Sequence, residues 1–504
     1  MASSHLAHDI PSSSEIRIVD ASKLDATAID KVDLENMGGN EVEAGSDIES
    51  GDTAEDTAEG AKISHSRTME EYAEWPEEGQ PQDRPDHSTV DTGGFPDIES
   101  DVSLSNRVHV VGFNVHARFV AHTVGSIPGA SLGVFAHHRI VRTRWGEEHR
   151  RLDLYDDRGV YASSTPVPCP EPILTQNPYD GPSDAYFLDN VIIDTTTAAV
   201  IPSLEALSAR IDSRTTVCLL HPGLGLLERI YEHIYQDPEQ RPNFVLGHST
   251  HKIGRVSDMM YSVQQKKPGT LYLFGLPKVD EPSVIYENPG PTLDKSSSAY
   301  QGMQQTQHLI RLLSSAEYLN VVPLPWVRFL SWKLPWIIFT SLADTISVIL
   351  GCKYNQIRHN AHARAMWDSL LEETLAIVAQ LPELQKTPHR IDYFTRPSFR
   401  RKLQLYLIAQ KHNTSPWIQQ VWMGAEPPVD YSNGYIIHRA QELGLDHKHN
   451  LLAAQTVKAR VNARRKELQS YLQGKPYISD SDLVRRQPAP SLEEVLDIEF
   501  NLDQ

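Results

Sequence analysis

Cysteine is scarce in this chain: three residues in 504, Cys169, Cys218 and Cys352. Thiols this few and this scattered build neither a disulfide framework nor a four-ligand zinc site. A reduced, cytoplasmic protein without a bound metal is therefore expected. None of the 22 histidines falls in a His-Glu-x-x-His pattern, which removes the helix-borne zinc hydrolase pair. Positive charge is almost missing from the first fifth. Residues 1–101 hold 26 Asp or Glu against six basic residues, whereas the remainder holds 40 acids and 41 bases. An N-terminus that is acid-rich and Arg-poor is the opposite of a mitochondrial presequence, and no cationic start precedes an apolar run as in a secretory signal. It also repels phosphate, so no nucleic-acid partner is expected. Long apolar runs are few. Leu334–Gly351 comes nearest, but Asp344 interrupts it and Lys333 borders it. A buried helix is expected there and no membrane contact.

The sequence divides by composition. Residues 1–105, rich in Ser, Asp, Glu, Gly and Thr, cannot bury enough apolar surface to offset their ordering entropy, so a disordered acidic tail is expected. It is the natural place for a protein partner. Residues 106–280 alternate short β-branched runs with helical stretches. Strands are expected at Arg107–Val111, Leu132–His137, Asn190–Ile193, Val217–Leu220 and Phe244–Gly247. Helices are expected at Ala117–Ser126, Pro202–Ile211 and Leu226–Ile234. That alternation predicts an α/β N-terminal Rossmann-like domain, a parallel doubly wound sheet. Residues 281–297 read as a linker. Residues 298–475 carry helical periodicity at 304–314, 329–350, 366–380, 399–410 and 451–472, which predicts an all-α C-terminal domain. Residues 476–504 read as a C-terminal tail. The long apolar helix suits a homodimer as well as domain packing.

A strand, a Gly-rich turn and a helix make the site of a dinucleotide pyrophosphate. Here the turn reads Gly112-Phe-Asn114-Val-His-Ala117. Gly112 permits the tight turn and Ala117 permits close helix–strand packing. Asn114 brings a side chain where the backbone should approach phosphate. Arg139, after the second strand, suits the 2′-phosphate of NADP better than the ribose hydroxyl of NAD.

Several segments together resemble the fungal ketopantoate reductases (2-dehydropantoate 2-reductases). They are Val108–His122, Asp189–Ile193, Leu219-Leu-His-Pro-Gly-Leu-Gly225, Asp237-Pro-Glu-Gln-Arg-Pro-Asn-Phe-Val-Leu-Gly247 and Val429-Asp-Tyr-Ser-Asn-Gly-Tyr435. The resemblance runs in order over about residues 106–470. It implies an NADP-binding domain followed by a helical domain, with Gly223 in the cofactor site. It also implies hydride transfer from NADPH to a small 2-keto acid, with a Lys as proton donor and Asn, Ser and Glu as substrate anchors.

The chain departs from that pattern at the reacting positions. Thr196 stands where the family has Lys, and Pro222 where it has Asn. Counting back from Cys352 places Trp336, Thr340 and Asp344 on the family's Lys-x-x-x-Asn-x-x-x-Asn face. A shifted count puts Lys333 at the Lys position, although the Pro335 that follows suggests that Lys333 opens a helix. Asn413 is kept, but the Ser beyond it is Pro416 and the Glu before Asp-Tyr is Pro428. Lys333, Asp344 and Asn413 are thus the remaining catalytic candidates. Two functions follow: an NADPH-dependent reductase of this family, acting on 2-dehydropantoate or a different 2-keto acid, or a catalytically degenerate protein that keeps the reductase fold as a non-catalytic scaffold or regulatory subunit, with or without NADP.

Overall fold

The computed structural model describes residues 104–137, 139–173, 187–256, 259–277, 297–410 and 413–471. The acidic tail, most of the linker and the C-terminal tail expected from sequence lie outside these residues.

The first part is built on an eight-stranded sheet. In chain order its members are β1 (Arg107–Val111), β2 (Ser131–Ala136), β5 (Glu171–Pro172), β6 (Asn190–Ile193), β7 (Thr216–Leu219), β8 (Asn243–Ser249), β11 (Leu271–Gly275) and β12 (Val321–Pro323). Their spatial order is β12-β11-β8-β7-β6-β1-β2-β5. All neighbours are parallel except β11 and β8. From β5 to β8 this is the doubly wound dinucleotide-fold order, whose direction reverses between β1 and β6. Alternate residues serve the two faces. Val108, Val110, Ile192, Cys218 and Val245 pack on one side with α1 (Val115–Gly125) and α5 (Ser298–Ser314). Val111, Val191, Ile193, Val217, Leu219 and Phe244 pack on the other with α3 (Thr197–Leu207) and α4 (Leu226–His233). The period of two in the strand sequences is the cause of this division.

A second sheet was not foreseen from the sequence. It orders β4 (Tyr161–Pro166), β3 (Arg151–Tyr155), β10 (Met259–Lys267) and β9 (Lys252–Val256). It covers α1, which explains why eight consecutive residues of that helix, Ala117 to Val124, are buried. Helix α2 (Arg139–Glu147) follows β2.

Two sequence boundaries move. The sequence places a helix start at Pro202; α3 begins at Thr197 and carries Pro202 as its sixth residue, past the four unpaired N–H groups of the first turn, so the proline forgoes one intrahelical hydrogen bond. Residues 298–323 were assigned to the helical domain. Instead α5 packs on the sheet through Leu309, Ile310, Leu312 and Leu313, and β12 adds an edge strand.

The helical domain follows as α6 (Trp326–Leu350), α7 (Tyr354–His359), α8 (Ala361–Val378), α9 (Pro382–Gln385), α10 (Pro388–Thr395), α11 (Pro397–Ala409), α12 (Pro416–Trp422), α13 (Asn433–Leu443) and α14 (Lys448–Tyr471). Helix α6 is its axis. By length and composition alone it could cross a membrane, but 83% of its apolar window is buried inside the protein. The polar residues of that helix find partners there. Thr345 Oγ1 donates to Asn433 Oδ1 at 2.8 Å, and Asn433 Nδ2 donates to the Ser341 carbonyl at 3.0 Å and to Asn450 Oδ1 at 3.0 Å. A closed network of this kind avoids the cost of orphaned polar groups in a core.

Candidate functional site between the domains

The chain leaves β7 and turns through His221, Gly223 and Gly225 before α4 begins. Gly225 has φ +86, a left-handed conformation that caps α4 without a side chain. Gly223 is required for another reason. A Cβ there would lie 2.3 Å from the Tyr431 carbonyl oxygen and 2.4 Å from the Tyr431 Cβ. The Leu224 N–H donates to that same carbonyl at 3.0 Å. The loop after β7 is therefore pressed against the turn that precedes α13. Gly223, expected in a cofactor site, is held in an interdomain backbone contact at the edge of a cavity.

That cavity has a volume of about 310 Å³ and is lined by the loop from His221 to Gly225, by Glu228 of α4, by Trp326 and Lys333 of α6, and by Tyr435, His438, Arg439 and Glu442 of α13. Lys333 does not open its helix; it sits in the third turn of α6 and is 2% exposed. Its Nζ donates to the His221 carbonyl and, at 3.0 Å, to the Gly247 carbonyl, so α6 is tied to the ends of β7 and β8. Burial drives its pKa down to about 7, with Cys218 opposing. The same burial, reinforced by Lys333, lowers His221 and His248 to about 3, so both rings stay neutral. Arg439 pairs with the buried Glu383 at 2.8 Å and with Glu442. The cavity thus offers a titratable amine, a guanidinium and a phenol to a small polar molecule.

The other candidates do not join it. Asp344 lies eleven residues beyond Lys333 on the same face of α6, about 16 Å along the axis at 1.5 Å per residue. It is buried, accepts from the Tyr354 hydroxyl, and is pushed up to about 6 by burial. Asn413 is exposed; its side chain donates to Gln410 and its carbonyl accepts from the Tyr354 N–H at 3.4 Å. Trp336 packs against Phe339 and Tyr406 in the helical core. Thr196 caps α3 without a side-chain bond, and its buried hydroxyl has no partner.

The nucleotide turn lies at the reversal point between β1 and β6. Gly112 has φ +117, and a Cβ there would lie 2.0 Å from the Asp194 carbonyl oxygen. Ala117 is fully buried against the sheet, as its place in the motif requires. Arg139, expected after the second strand, is the first residue of α2. Asn114 caps α1 with its own side chain: Oδ1 accepts from the Ala117 N–H at 2.8 Å, and Nδ2 donates to the Asp194 carbonyl at 3.1 Å. The Asp194 carboxylate meets His116 Nδ1 at 2.5 Å, and His116 Nε2 meets Ser249 Oγ at 2.7 Å. Burial alone would lower the His116 pKa; Asp194 outweighs it and holds it above the usual value.

A pyrophosphate needs bare N–H groups and no competing anion at such a helix start. Here an amide oxygen covers one N–H and a buried carboxylate stands beside the turn. These residues do not fit the pyrophosphate of NADP. Replacing Asn114 with alanine is expected to lower the unfolding free energy by about 1 kcal/mol, as for a lost N-cap, in a urea titration of the full chain.

His116, Asp194 and Ser249 were not singled out from sequence, because they come from α1, the loop after β6 and the end of β8. Arg439, on α13, was not singled out either. One Gly-x-Ser-x-Gly string exists, Gly129 to Gly133, but its Ser131 is the exposed first residue of β2 and not the strand-to-helix elbow that such chemistry uses. Among the described residues no group of three His, Cys, Asp or Glu is placed to hold a metal.

Residues 328–461 match the protein-family model described as ketopantoate reductase PanE/ApbA C terminal. No curated protein matches the chain. Solved structures similar to it include a PanE/ApbA family ketopantoate reductase of Ralstonia eutropha (13% identity, 71% of this chain and 99% of that one, TM-score 0.49). A 2-dehydropantoate 2-reductase of Geobacter metallireducens is similar as well (12% identity, 70% and 99%, TM-score 0.47). So is a dimeric ketopantoate reductase of Staphylococcus aureus (14% identity, 71% and 99%, TM-score 0.46). Residues 328–461 of this chain are thus similar to the C-terminal domain of ketopantoate reductases.

Proposed function

We propose that this chain is a ketopantoate reductase-like protein that has lost NADPH-dependent reduction of 2-dehydropantoate and serves as a scaffold or regulatory subunit, non-catalytic toward that substrate. One observation carries the reading: Asn114, His116 and Asp194 fill the turn at which a dinucleotide pyrophosphate would bind. A reductase without its hydride source cannot turn over, whatever the rest of its site retains. The anchoring positions agree, since Pro222, Pro416 and Pro428 offer no side-chain donor or acceptor. The cavity beside Lys333 then remains as a binding site for a small polar molecule. We assign the protein to the cytoplasm, and contact with a protein partner to its acidic N-terminal segment.

A second reading, an active reductase of another 2-keto acid, is favoured by Lys333 alone. An amine with a pKa near 7 at an interdomain cavity suits a proton donor to a carbonyl oxygen. NADPH oxidation followed at 340 nm with 2-dehydropantoate, and with a panel of small 2-keto acids, decides between them. No turnover above the enzyme-free rate is expected. Turnover that disappears in Lys333→Ala would establish the second reading.

A further inference from the structure

The groups that fill the nucleotide turn form a chain in their own right. The Asp194 carboxylate, 5% exposed, holds His116 Nδ1 at 2.5 Å. The opposite ring nitrogen, Nε2, lies 2.7 Å from Ser249 Oγ. A carboxylate on Nδ1 fixes the tautomer in which Nε2 is the acceptor, and so directs that nitrogen to take the serine proton. Three different elements deliver the three residues to the carboxyl edge of one sheet, where ligands of such sheets bind. His116 and Ser249 are half-buried, so the relay is desolvated but reachable.

We propose that Asp194, His116 and Ser249 form a serine acyl-transfer site that hydrolyses small esters or thioesters. Ser249 Oγ attacks the acyl carbon as its proton passes to His116 Nε2. The bond from that carbon to the leaving oxygen or sulfur breaks, and the leaving group takes the proton from His116. Water then attacks the acyl-serine with His116 again accepting the proton, the acid departs, and Ser249 regains its hydrogen. The net reaction is ester plus water to acid plus alcohol or thiol, and no redox partner is needed. Asp194 orients the ring and does not itself exchange the proton. This inference rests on the reading that these residues exclude a dinucleotide.

The test is labelling of the full chain with a rhodamine-linked fluorophosphonate, which adds phosphorus to a reactive serine with loss of fluoride. One adduct is expected, mapped by peptide mass spectrometry to Ser249 and absent in Ser249→Ala. In His116→Gln, which can keep a hydrogen bond to Asp194, the labelling rate should fall at least about 100-fold. The rate should also fall as pH drops through a pKa above 6.5, because only the neutral ring is a base. Hydrolysis of p-nitrophenyl acetate should be lost in Ser249→Ala. No adduct at Ser249 on the folded protein, or a rate unchanged in His116→Gln, overturns the proposal. Including millimolar NADPH separates the two ideas. Protection by NADPH would sink the dinucleotide-exclusion reading while leaving a reactive Ser249 in place. Absent labelling together with absent NADPH binding would do the reverse.

Discussion

Replacing Gly223 with alanine is expected to lower the unfolding free energy by about 3 kcal/mol, near the top of the range for overpacking. The new methyl would stand 2.3 Å from the Tyr431 carbonyl oxygen, 2.4 Å from its Cβ and 2.8 Å from its carbonyl carbon. Two of those atoms are backbone, so no side-chain rotation relieves the clash. Either the loop after β7 or the turn before α13 must move. Movement breaks the 3.0 Å bond from Leu224 N to Tyr431 O. It also disturbs the Arg229 contacts to Asp430 at 3.0 Å and to the Tyr431 hydroxyl at 3.4 Å. The damage therefore falls on the joint between the two domains. Gly146→Ala is the control, because Gly146 lies in α2 with nothing within 4 Å of an added Cβ. That change should be neutral or stabilise by up to about 1 kcal/mol through helix propensity. Guanidinium unfolding of the full chain reads both. Equal stability of Gly223→Ala and the parent would mean that the domains do not meet at Tyr431.

The second large effect concerns Lys333 and pH. Its pKa is near 7 in the folded chain and 10.5 in the unfolded one. Between these values the unfolded state binds more protons, so this group makes stability rise with pH across that window. Below about pH 7 both states are protonated and the full penalty of the buried charge is present. From pH 7 to pH 9 the rise attributable to Lys333 is on the order of 2 kcal/mol, at about 1.4 kcal/mol for each unit of difference. In Lys333→Met that rise disappears, because methionine fills a similar volume without a charge. At pH 7 the variant exchanges a costly buried amine for two carbonyls, of His221 and Gly247, that lose a donor. The difference between parent and variant at the two pH values isolates the effect from other titrations. An identical pH dependence in both proteins would show that Lys333 stays charged when buried.

Much of the fold was legible because its signals are local. The strands β1, β6 and β7 are short β-branched runs with both faces buried, and α6 is a long apolar stretch ended by Gly351 in a left-handed cap. The second sheet was hidden for the opposite reason. β3, β4, β9 and β10 come from two segments about 85 residues apart, and β10 is as polar as it is apolar, Met-Met-Tyr-Ser-Val-Gln-Gln-Lys-Lys. Its partners exist only in the folded chain. Helix α5 was placed with the wrong domain because helical periodicity says nothing about which surface covers the apolar stripe.

The site was legible where a single backbone rule applies. Gly112 and Ala117 do what the turn motif asks of them, whereas Asn114 turns its side chain back on its own helix. Lys333 was misjudged because Pro335 suggests a helix start. In the fold α6 begins nine residues earlier and carries the proline within it. Asp194, His116 and Ser249 lie up to 133 residues apart, and no spacing rule connects them.

Exclusion of a dinucleotide by the turn at Asn114 is what separates a scaffold from a reductase. Titration of NADPH into the full-length protein, followed by nicotinamide fluorescence and by calorimetry at neutral pH, tests this most directly. No saturable binding up to millimolar cofactor is predicted. Saturable binding in the micromolar range at one site per chain would contradict it.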